Sequence, residues 1–547
     1  MAAAPPGAPP RPSDGGKPSL FPDTRPEKAQ RRSRARPSPL PATPPYVELH
    51  AASAFSFLDG ASLPEDLVAR AAELELPGLA LLDRNGVHGL PRLHQAARRA
   101  GLRALAGSEV VLAGEPGTTP PGPFSPRLPL LVANAAGYRN LCRLLTVAAR
   151  GRKKGEAAAD WEQLAAHAGG LWALTGGSEG PLSRALATGG LDAARALLER
   201  LVATFPGRVA VELQRHGRRE EEHRNRALVD LARRLRLPLV ATNGVRYARA
   251  EEKPLHDLLT ALRHHTSLDA AGRLLAAHRE RHLKSATEMA RRFHDLPAAL
   301  AGTAELAARL DFTLTDLGYR FPEYPVPPGE SASSWLRRVT WEGARSRFRP
   351  LTTRAQAQLE RELALIEKLD LAGYFLIVWD LVTFCRREGI LCQGRGSAAN
   401  SAVCYALAIT AVDPVKMGLL FERFLSEERG EWPDIDLDLP SGAPRERVIQ
   451  HVYARYGPHG AAMTANVITY RDRSAAREVA RALGFAPEQG ERLARRLGSF
   501  RRDLARGEPR ELAAELTAAG LDPAATRVRH FAALWQQIQN LPRHLGQ

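Results

Sequence analysis

Cysteine is scarce in this chain, and none of its cysteines forms a motif. The four residues, Cys142, Cys385, Cys392 and Cys404, are scattered along the sequence and include no CxxC pair. They therefore form neither a disulfide framework nor a zinc-binding spacing. Isolated cysteines of this kind fit reduced thiols, so we expect a cytoplasmic protein.

Long apolar runs are also missing. No stretch reaches the roughly 18 residues that a membrane-spanning helix requires, and the proline-rich start lacks the apolar core of a secretory signal. We therefore expect no contact with a membrane. The 547 residues are nevertheless enough for several domains with large cores.

Acidic residues are outnumbered by basic ones. The chain has 76 Lys and Arg against 60 Asp and Glu, which gives a formal charge of +16. A basic surface is typical of nucleic-acid binding, because Lys and Arg displace counterions from phosphates. Improved solubility is the alternative reason for such a charge.

The order of local patterns indicates several domains. Residues 1–45 are rich in Pro, Gly and Arg and predict a disordered arm. From Tyr46 to about Val245, short apolar runs alternate with helical stretches, which predicts an α/β sheet wrapped by helices. A mostly helical region follows, broken by the linker YRFPEYPVPPGE, and the last hundred residues are basic and helical.

The segment EWPDIDLDLP carries three alternating aspartates, Asp434, Asp436 and Asp438. In a strand, alternate residues share a face, so the carboxylates point one way and the aliphatic residues between them enter the core. Such a pair suits two divalent ions for nucleotidyl transfer. A calcium loop needs polar intervening residues and a following glycine, which are absent; a solvated acidic edge is the other alternative.

A loop of small residues, Gly394, Arg395, Gly396 and Ser397, lies some forty positions earlier and leads into a helical stretch. Backbone N–H groups, a helix N-terminus and the Arg395 charge together predict a phosphate site. No Lys-Ser or Lys-Thr follows the second glycine, so it is not a Walker A loop. A tight packing turn is the alternative.

A basic helix follows VITYRD. Arg473, Arg477 and Arg481 recur every fourth residue, and Ser474 is positioned to cap the helix. This ridge predicts contacts with DNA phosphates that position a duplex without reading its sequence. A solvated surface stripe is the alternative.

Several long motifs resemble C-family bacterial DNA polymerases, and specifically their error-prone branch. They are YVELHAASAFSFLDGAS, GYFLIVWDLV, ILCQGRGSAANSAVCYALAITAVDP, LLFERFLSEERGEWPDIDLD, VITYRDRSAAREVARALG and LPRHLGQ. The resemblance implies a polymerase-and-histidinol-phosphatase (PHP) domain with a distorted barrel over 46–257, a palm over 258–463 and a thumb over 464–547. It also implies translesion synthesis in the response to DNA damage.

The resemblance further assigns residues and partners. Asp434 and Asp436 would bind two Mg²⁺ ions, with Asp438 a lesser candidate, and Gly396, Ser397 and Arg423 would hold the nucleoside triphosphate beside Arg395. Primer–template DNA and deoxynucleoside triphosphates would be substrates; accessory mutagenesis proteins and a sliding clamp are further expected partners. The family's third aspartate would lie beyond Gln547, so we expect no template-directed synthesis by these 547 residues alone.

Some positions depart from the family pattern. The segment LPSGAPRE replaces a usual Phe-Glu-His, and Trp379 and Trp432 replace a usual histidine and proline. In the PHP domain the His-x-His motif reads His50-Ala51-Ala52, and two other ligand positions are altered, namely Arg84, and Gly244 with Arg246. Glu109, His216 and His256 remain. We expect a structural PHP domain that binds no metal.

Two alternatives to the polymerase stay open. One is a non-catalytic DNA-binding or assembly subunit that retains the polymerase fold and the basic surface. The other is a PHP phosphoesterase, which the altered ligand positions disfavour.

Overall fold

A computed structural model describes residues 46–114, 125–315, 317, 323–425, 433–500, 503, 506 and 511–546, without the side chains of 458 and 459. The predicted arm at 1–45 and Trp432 lie outside these residues. The described chain falls into two compact units. The first unit comprises residues 46–319 with 463–546, and the second comprises residues 323–462.

A seven-stranded sheet organises the first unit, and its strands are ordered as they occur in the chain. The strands are β1 (Glu48–Ala51), β2 (Gly78–Arg84), β3 (Arg103–Val111), β4 (Arg127–Val132), β5 (Leu171–Leu174), β6 (Val209–Leu213) and β7 (Leu239–Ala241). Strand β4 runs antiparallel to both neighbours, and the other neighbouring pairs are parallel. Beyond β7, the Val245 amide donates to the His50 carbonyl at 2.8 Å, which curls the sheet back towards β1.

Helices cover this sheet, so its strands are buried on both faces. Leu79 and Leu81 of β2 join one apolar cluster, whereas Ala80 and Leu82 join another. Strands buried on both faces read as continuous apolar runs, as in GLALLD. The helices are α1 (Pro64–Glu73), α2 (Leu90–Ala100), α3 (Ala135–Ala149), α4 (Trp161–Ala166), α5 (Pro181–Thr204), α6 (Arg219–Arg234), α7 (Lys253–Arg263), α8 (Leu268–Ala271), α9 (Ala286–Arg292) and α10 (Pro297–Ala308).

The second unit is mainly helical and carries one small two-stranded sheet. Its elements are α11 (Ala332–Arg347), α12 (Thr353–Lys368), α13 (Ala372–Arg387), β8 (Gln393–Arg395), α14 (Ala402–Ala406), α15 (Pro414–Met417), β9 (Asp436–Asp438) and α16 (Ala443–Gly460), with 3-10 helices at Gly396–Asn400 and Phe421–Arg423. Helices α11 and α14 meet at Gly343, where a Cβ atom would lie 2.1 Å from the Ala406 carbonyl oxygen. Only glycine permits this close approach.

The last part of the chain is helical and returns to the first unit. It contains β10 (Asn466–Thr469), α17 (Asp472–Ala482), α18 (Pro487–Arg496), α19 (Leu512–Ala518), α20 (Thr526–Ile538) and β11 (Pro542–Gly546). Strands β10 and β11 pair antiparallel. Phe531 and Trp535 of α20 share a buried cluster with Leu258 and Leu262 of α7.

The predicted mixed α/β class, with its PHP-type sheet and a helical end, is confirmed. Compactness alone does not identify a domain family, so the predicted boundaries at 257 and 463 stay predictions. Residues 258–319, which the sequence analysis places with the palm, lie in the first unit.

Candidate functional site

The acidic segment forms the edge of a small sheet in the second unit. Asp434, Asp436 and Asp438 are exposed, while Ile435 and Leu437 between them are half-buried against the apolar core. The predicted alternation is therefore present. Aliphatic anchors on one side hold the carboxylates towards solvent on the other.

Arg395 lies across these carboxylates. Strand β8 pairs antiparallel with β9, which places Arg395 opposite Asp436. Its Nε donates to Asp438 Oδ1 at 2.8 Å, and its Nη1 lies 3.6 Å from Asp436 Oδ2. The hydrogen bond to Asp438 raises the pKa of the guanidinium. Arg395 is therefore already engaged with the acidic strand.

The glycine loop follows β8 directly and approaches the same carboxylates. Gly396 has φ +67°, and a Cβ atom there would lie 3.9 Å from Asp436 Oδ2. Ser397 comes next, in the 3-10 helix Gly396–Asn400. This turn packs against the 3-10 helix Phe421–Arg423, which carries Arg423.

One expectation about this loop was wrong. The predicted helix does not begin at the glycines, because a 3-10 turn intervenes and α14 starts only at Ala402. The five-residue helix α14 has Ser401 at its N-cap, and its first amide donates to Glu362. The N-terminus of this helix therefore does not serve the glycine loop. Backbone N–H groups and Arg395 remain the loop's means of holding a phosphate.

Sequence reasoning missed Glu362, which holds this loop in place. The side chain is fully buried and accepts from Ser401 Oγ at 2.8 Å and from the Ala402 and Val403 amides at 3.0 Å. A fourth hydrogen bond comes from Gln358 Nε2. Burial raises the pKa of Glu362, which these four donors oppose. Glu362 thus fixes the start of α14, and with it the end of the glycine turn.

The departures from the family pattern have local explanations. Segment LPSGAPRE covers the turn between β9 and α16 and the first four residues of α16, which begins at Ala443. Trp379 of α13 packs edge-on against Trp335 at 6.4 Å between ring centroids. Strand β9 contains Asp436 and Asp438, whereas Asp434 precedes it and lies outside the strand.

The basic ridge lies on α17 in the first unit. Arg473, Arg477 and Arg481 are exposed, and Val479 and Ala480 are buried behind them. The predicted amphipathic helix is therefore present. Its start differs from the prediction, because α17 begins at Asp472 after Arg471, and Ser474 sits one turn inside the helix.

Two of the ridge arginines already have carboxylate partners. Arg477 Nε donates to Glu491 Oε1 at 2.5 Å, and Arg481 Nη2 donates to Glu478 Oε2 at 2.6 Å. These pairs are exposed, and such pairs stabilise a fold by about 0–1 kcal/mol. A phosphate could therefore compete for the guanidinium groups at little energetic cost.

In the first unit, His50 lies between two buried glutamates. Its Nδ1 is 2.7 Å from Glu212 Oε1, and its Nε2 is 2.8 Å from Glu109 Oε1. Burial lowers the pKa of His50, but both carboxylates outweigh this effect and raise it to about 10. With both nitrogens protonated, His50 has no lone pair for a metal ion.

Arg246 adds a second buried cation to the same cluster. Its Nη2 lies 2.9 Å from Glu109 Oε1 and 3.2 Å from Glu179 Oε2. Arg127 Nη1 reaches Asp59 at 2.6 Å. Protein cations thus neutralise carboxylates that a metal would otherwise require, so these residues do not fit a metal centre.

Asp83 and His216 of the same unit are engaged in structural contacts as well. Asp83 accepts from the Ser53 amide at 2.7 Å and from the Ser56 hydroxyl at 3.0 Å. His216, Glu221 and His278 bring three ligand atoms within 4.8 Å of one another. However, His216 directs Nδ1 to Glu221 at 2.7 Å and Nε2 to the Asn243 carbonyl at 3.0 Å. Both ring nitrogens of His216 are therefore engaged, so a metal ion there would have to displace one of these two contacts.

Comparison with known protein families finds matches for two segments of the chain. Residues 334–547 match the bacterial DNA polymerase III alpha NTPase domain, and residues 48–216 match the PHP domain. These two segments are similar in sequence to those families.

Several curated relatives of the chain carry the name error-prone DNA polymerase. The chain is 45% identical over 507 residues to an error-prone DNA polymerase of Mycolicibacterium paratuberculosis, covering 92% of this chain and 45% of that protein. It is 43% identical over 546 residues to one of Mycobacterium bovis, covering 98% and 48%. A relative from Anaeromyxobacter dehalogenans with the same name is 40% identical over 592 residues, covering 92% and 50%. The chain spans about half the length of these curated relatives.

Within the described residues, no helix has both the length and the apolar character needed to cross a bilayer.

Proposed function

We propose that this chain carries the nucleotidyl-transfer site of an error-prone DNA polymerase, which extends a primer on a DNA template with deoxynucleoside triphosphates. One observation carries the proposal: the glycine turn lies beside the exposed Asp436 carboxylate. A Cβ atom placed on Gly396 would lie 3.9 Å from Asp436 Oδ2. A nucleotide's phosphates held by the turn would therefore lie next to the acidic strand.

The acidic strand fits the divalent ions that such a reaction uses. Carboxylate oxygens are the ligands that Mg²⁺ prefers, and Asp434 and Asp436 are exposed on one edge. These two residues would hold Mg²⁺. When bound, Mg²⁺ activates the primer hydroxyl and stabilises the leaving phosphate.

Each neighbouring residue has a role in placing the triphosphate. Gly396 and Ser397 offer backbone N–H groups, and Arg395 and Arg423 offer guanidinium charge. Arg395 also pairs with Asp438, which keeps that carboxylate occupied. This supports Asp438 as the lesser metal ligand of the three aspartates.

The arginine ridge of α17 would contact the DNA backbone, since exposed guanidinium groups four residues apart match the repeated phosphates of a strand. The PHP domain is proposed to be structural, with neither phosphoesterase nor proofreading activity, because His50 and Arg246 occupy its carboxylates. We further propose that accessory mutagenesis proteins and a sliding clamp are partners of the protein. Its proposed location is the cytoplasm.

A metal-and-nucleotide binding assay tests the site. Mn²⁺, which is paramagnetic and replaces Mg²⁺, would be titrated with dATP and followed by electron paramagnetic resonance. We expect Asp434→Asn and Asp436→Asn to weaken Mn²⁺–dATP binding at least tenfold. Asp438→Asn should have a smaller effect, and Asp192→Asn on α5 should have none. Equal binding by all four variants would contradict the assignment.

A non-catalytic DNA-binding or assembly subunit remains a second candidate, favoured by the pairing of Arg395 with the acidic strand. That function predicts DNA binding without any dATP-dependent uptake of Mn²⁺. The same titration, repeated with primer–template DNA, therefore separates the two functions.

A further inference from the structure

A cavity of about 640 Å³ opens in the first unit beside the former metal positions of the PHP domain. Its lining includes five arginines and four carboxylates. The five arginines are Arg218, Arg224, Arg263, Arg273 and Arg281. Its volume lies within the range of about 300–1,000 Å³ that is typical of small-molecule sites.

The carboxylates of this cavity are already neutralised. Asp59 forms ion pairs with Arg263 at 2.5 Å and with Arg127 at 2.6 Å. Glu179 lies 3.2 Å from Arg246 and 3.5 Å from Arg281. Arg127 and Arg246 do not line the cavity, so they add positive charge behind it.

The remaining carboxylates have their own partners as well. Glu221 hydrogen-bonds both the ring and the amide of His216, at 2.7 Å and 2.6 Å. Glu220 lies 3.3 Å from Arg218. Every acidic group of the lining is therefore engaged before any ligand arrives.

Arg224 and Arg273 differ from the other arginines. Across the described ranges, neither of them forms an ion pair, and the Nε of Arg224 is buried without a hydrogen-bond partner. Burial lowers the pKa of Arg224, with Glu221 acting in the opposite direction. Arg224 is half-buried, and a half-buried guanidinium without a matched anion is costly. Arg273 is exposed and lines the same cavity. A phosphate forms bidentate charge-assisted hydrogen bonds with guanidinium groups of this kind.

A buried neutral histidine completes this wall. His256 lines the cavity, is 6% exposed, and its Nδ1 has no partner among the described residues. Burial lowers the pKa of His256 to about 3. It therefore adds hydrogen-bonding capacity to the cavity without adding a competing charge.

We infer that this cavity binds a phosphate group directly through Arg224 and Arg273, without a metal ion. A metal fits less well, because His216 directs both ring nitrogens to acceptors. The phosphate could be inorganic phosphate or the terminal phosphate of a nucleic-acid strand, and both present the same tetrahedral anion. The inference does not depend on the acidic strand of the second unit.

Isothermal titration of the whole chain with inorganic phosphate, in the presence of EDTA, tests the inference. We expect binding that weakens at least tenfold in Arg224→Gln and in Arg273→Gln. The matched control is Arg233→Gln, because Arg233 is an exposed residue of the same helix as Arg224. Circular dichroism melting without phosphate shows whether each variant is folded, and the two independent sites keep the test informative if one variant is not.

Oligonucleotides ending in a 3′-phosphate or a 3′-hydroxyl distinguish the two sources. Tighter binding of the phosphorylated strand, lost in Arg224→Gln, assigns the site to a strand end; equal binding of both strands assigns it to free phosphate. Absence of phosphate binding at millimolar concentration overturns the inference. So does binding that appears only after Zn²⁺ is added, or binding that is unchanged in both cavity variants.

Discussion

Replacing His50 should change how the stability of the first unit depends on pH. The folded-state pKa of His50 is raised to about 10 from an ordinary value of 6.5. Between these values the folded protein holds a proton that the unfolded chain has released. The contribution of His50 is therefore complete below pH 6.5 and is lost as pH rises towards 10.

The size of the effect follows from the shift. Each pH unit within this window corresponds to about 1.4 kcal/mol, so the unfolding free energy should fall by about 2 kcal/mol between pH 7.0 and 8.5 through this group. Glu48, whose pKa is raised to about 7, and the thiols of the unfolded chain, which ionise around pH 8.5, titrate mainly at the two ends of this interval. His50 is thus the dominant source of the slope.

His50→Gln should remove this slope and also leave buried Glu212 without a cation, whereas Glu109 keeps Arg246. Breaking a buried ion pair costs about 3–5 kcal/mol. The assay is hydrogen exchange of the β1 and β6 peptides in increasing urea, corrected for the intrinsic exchange rate at each pH. His223→Gln on the exposed face of α6 is the control. Parallel pH profiles for the wild type and His50→Gln would refute the reasoning.

Three further predictions concern the other sites. Glu362→Gln should destabilise the second unit by about 2 kcal/mol, because an amide cannot accept from all four donors; urea unfolding measures this, with exposed Glu367→Gln as control. Gly394→Ala should cost about 1–3 kcal/mol in the same assay, since its Cβ would lie 2.6 Å from a backbone oxygen, and wild-type stability would contradict the close contact. Arg477→Glu should weaken DNA binding and lower the salt slope by about one, whereas Glu491→Gln should not weaken it; fluorescence anisotropy at several salt concentrations decides.

The local features of the site could be predicted from the sequence. Alternation of Asp434, Ile435 and Asp436 requires only that the segment be extended, and the structure has that alternation. The ridge on α17 likewise requires only helical periodicity. The start of that helix was predicted wrongly, because Ser474 resembles a cap although its hydroxyl bonds back to Arg471 from inside the helix.

Long-range contacts could not be predicted in the same way. Glu362 is 39 residues from Ser401, and the sequence does not show which groups it contacts across that separation. One signal was available: a glutamate at a position of α12 that helical periodicity assigns to the core. Similarly, Ala52 and Arg246 could be recognised in the sequence as departures from the family pattern, but the ion pair of Arg246 with Glu109 joins residues 137 positions apart.

The buried cations of the first unit have a consequence for how its stability responds to surroundings. An ion taken up from solution stabilises a fold according to the logarithm of its concentration. A guanidinium that belongs to the chain, such as that of Arg246, is present at every concentration and cannot dissociate. Under the proposal that the PHP domain binds no metal, its stability should therefore be independent of the supply of trace elements and of chelators.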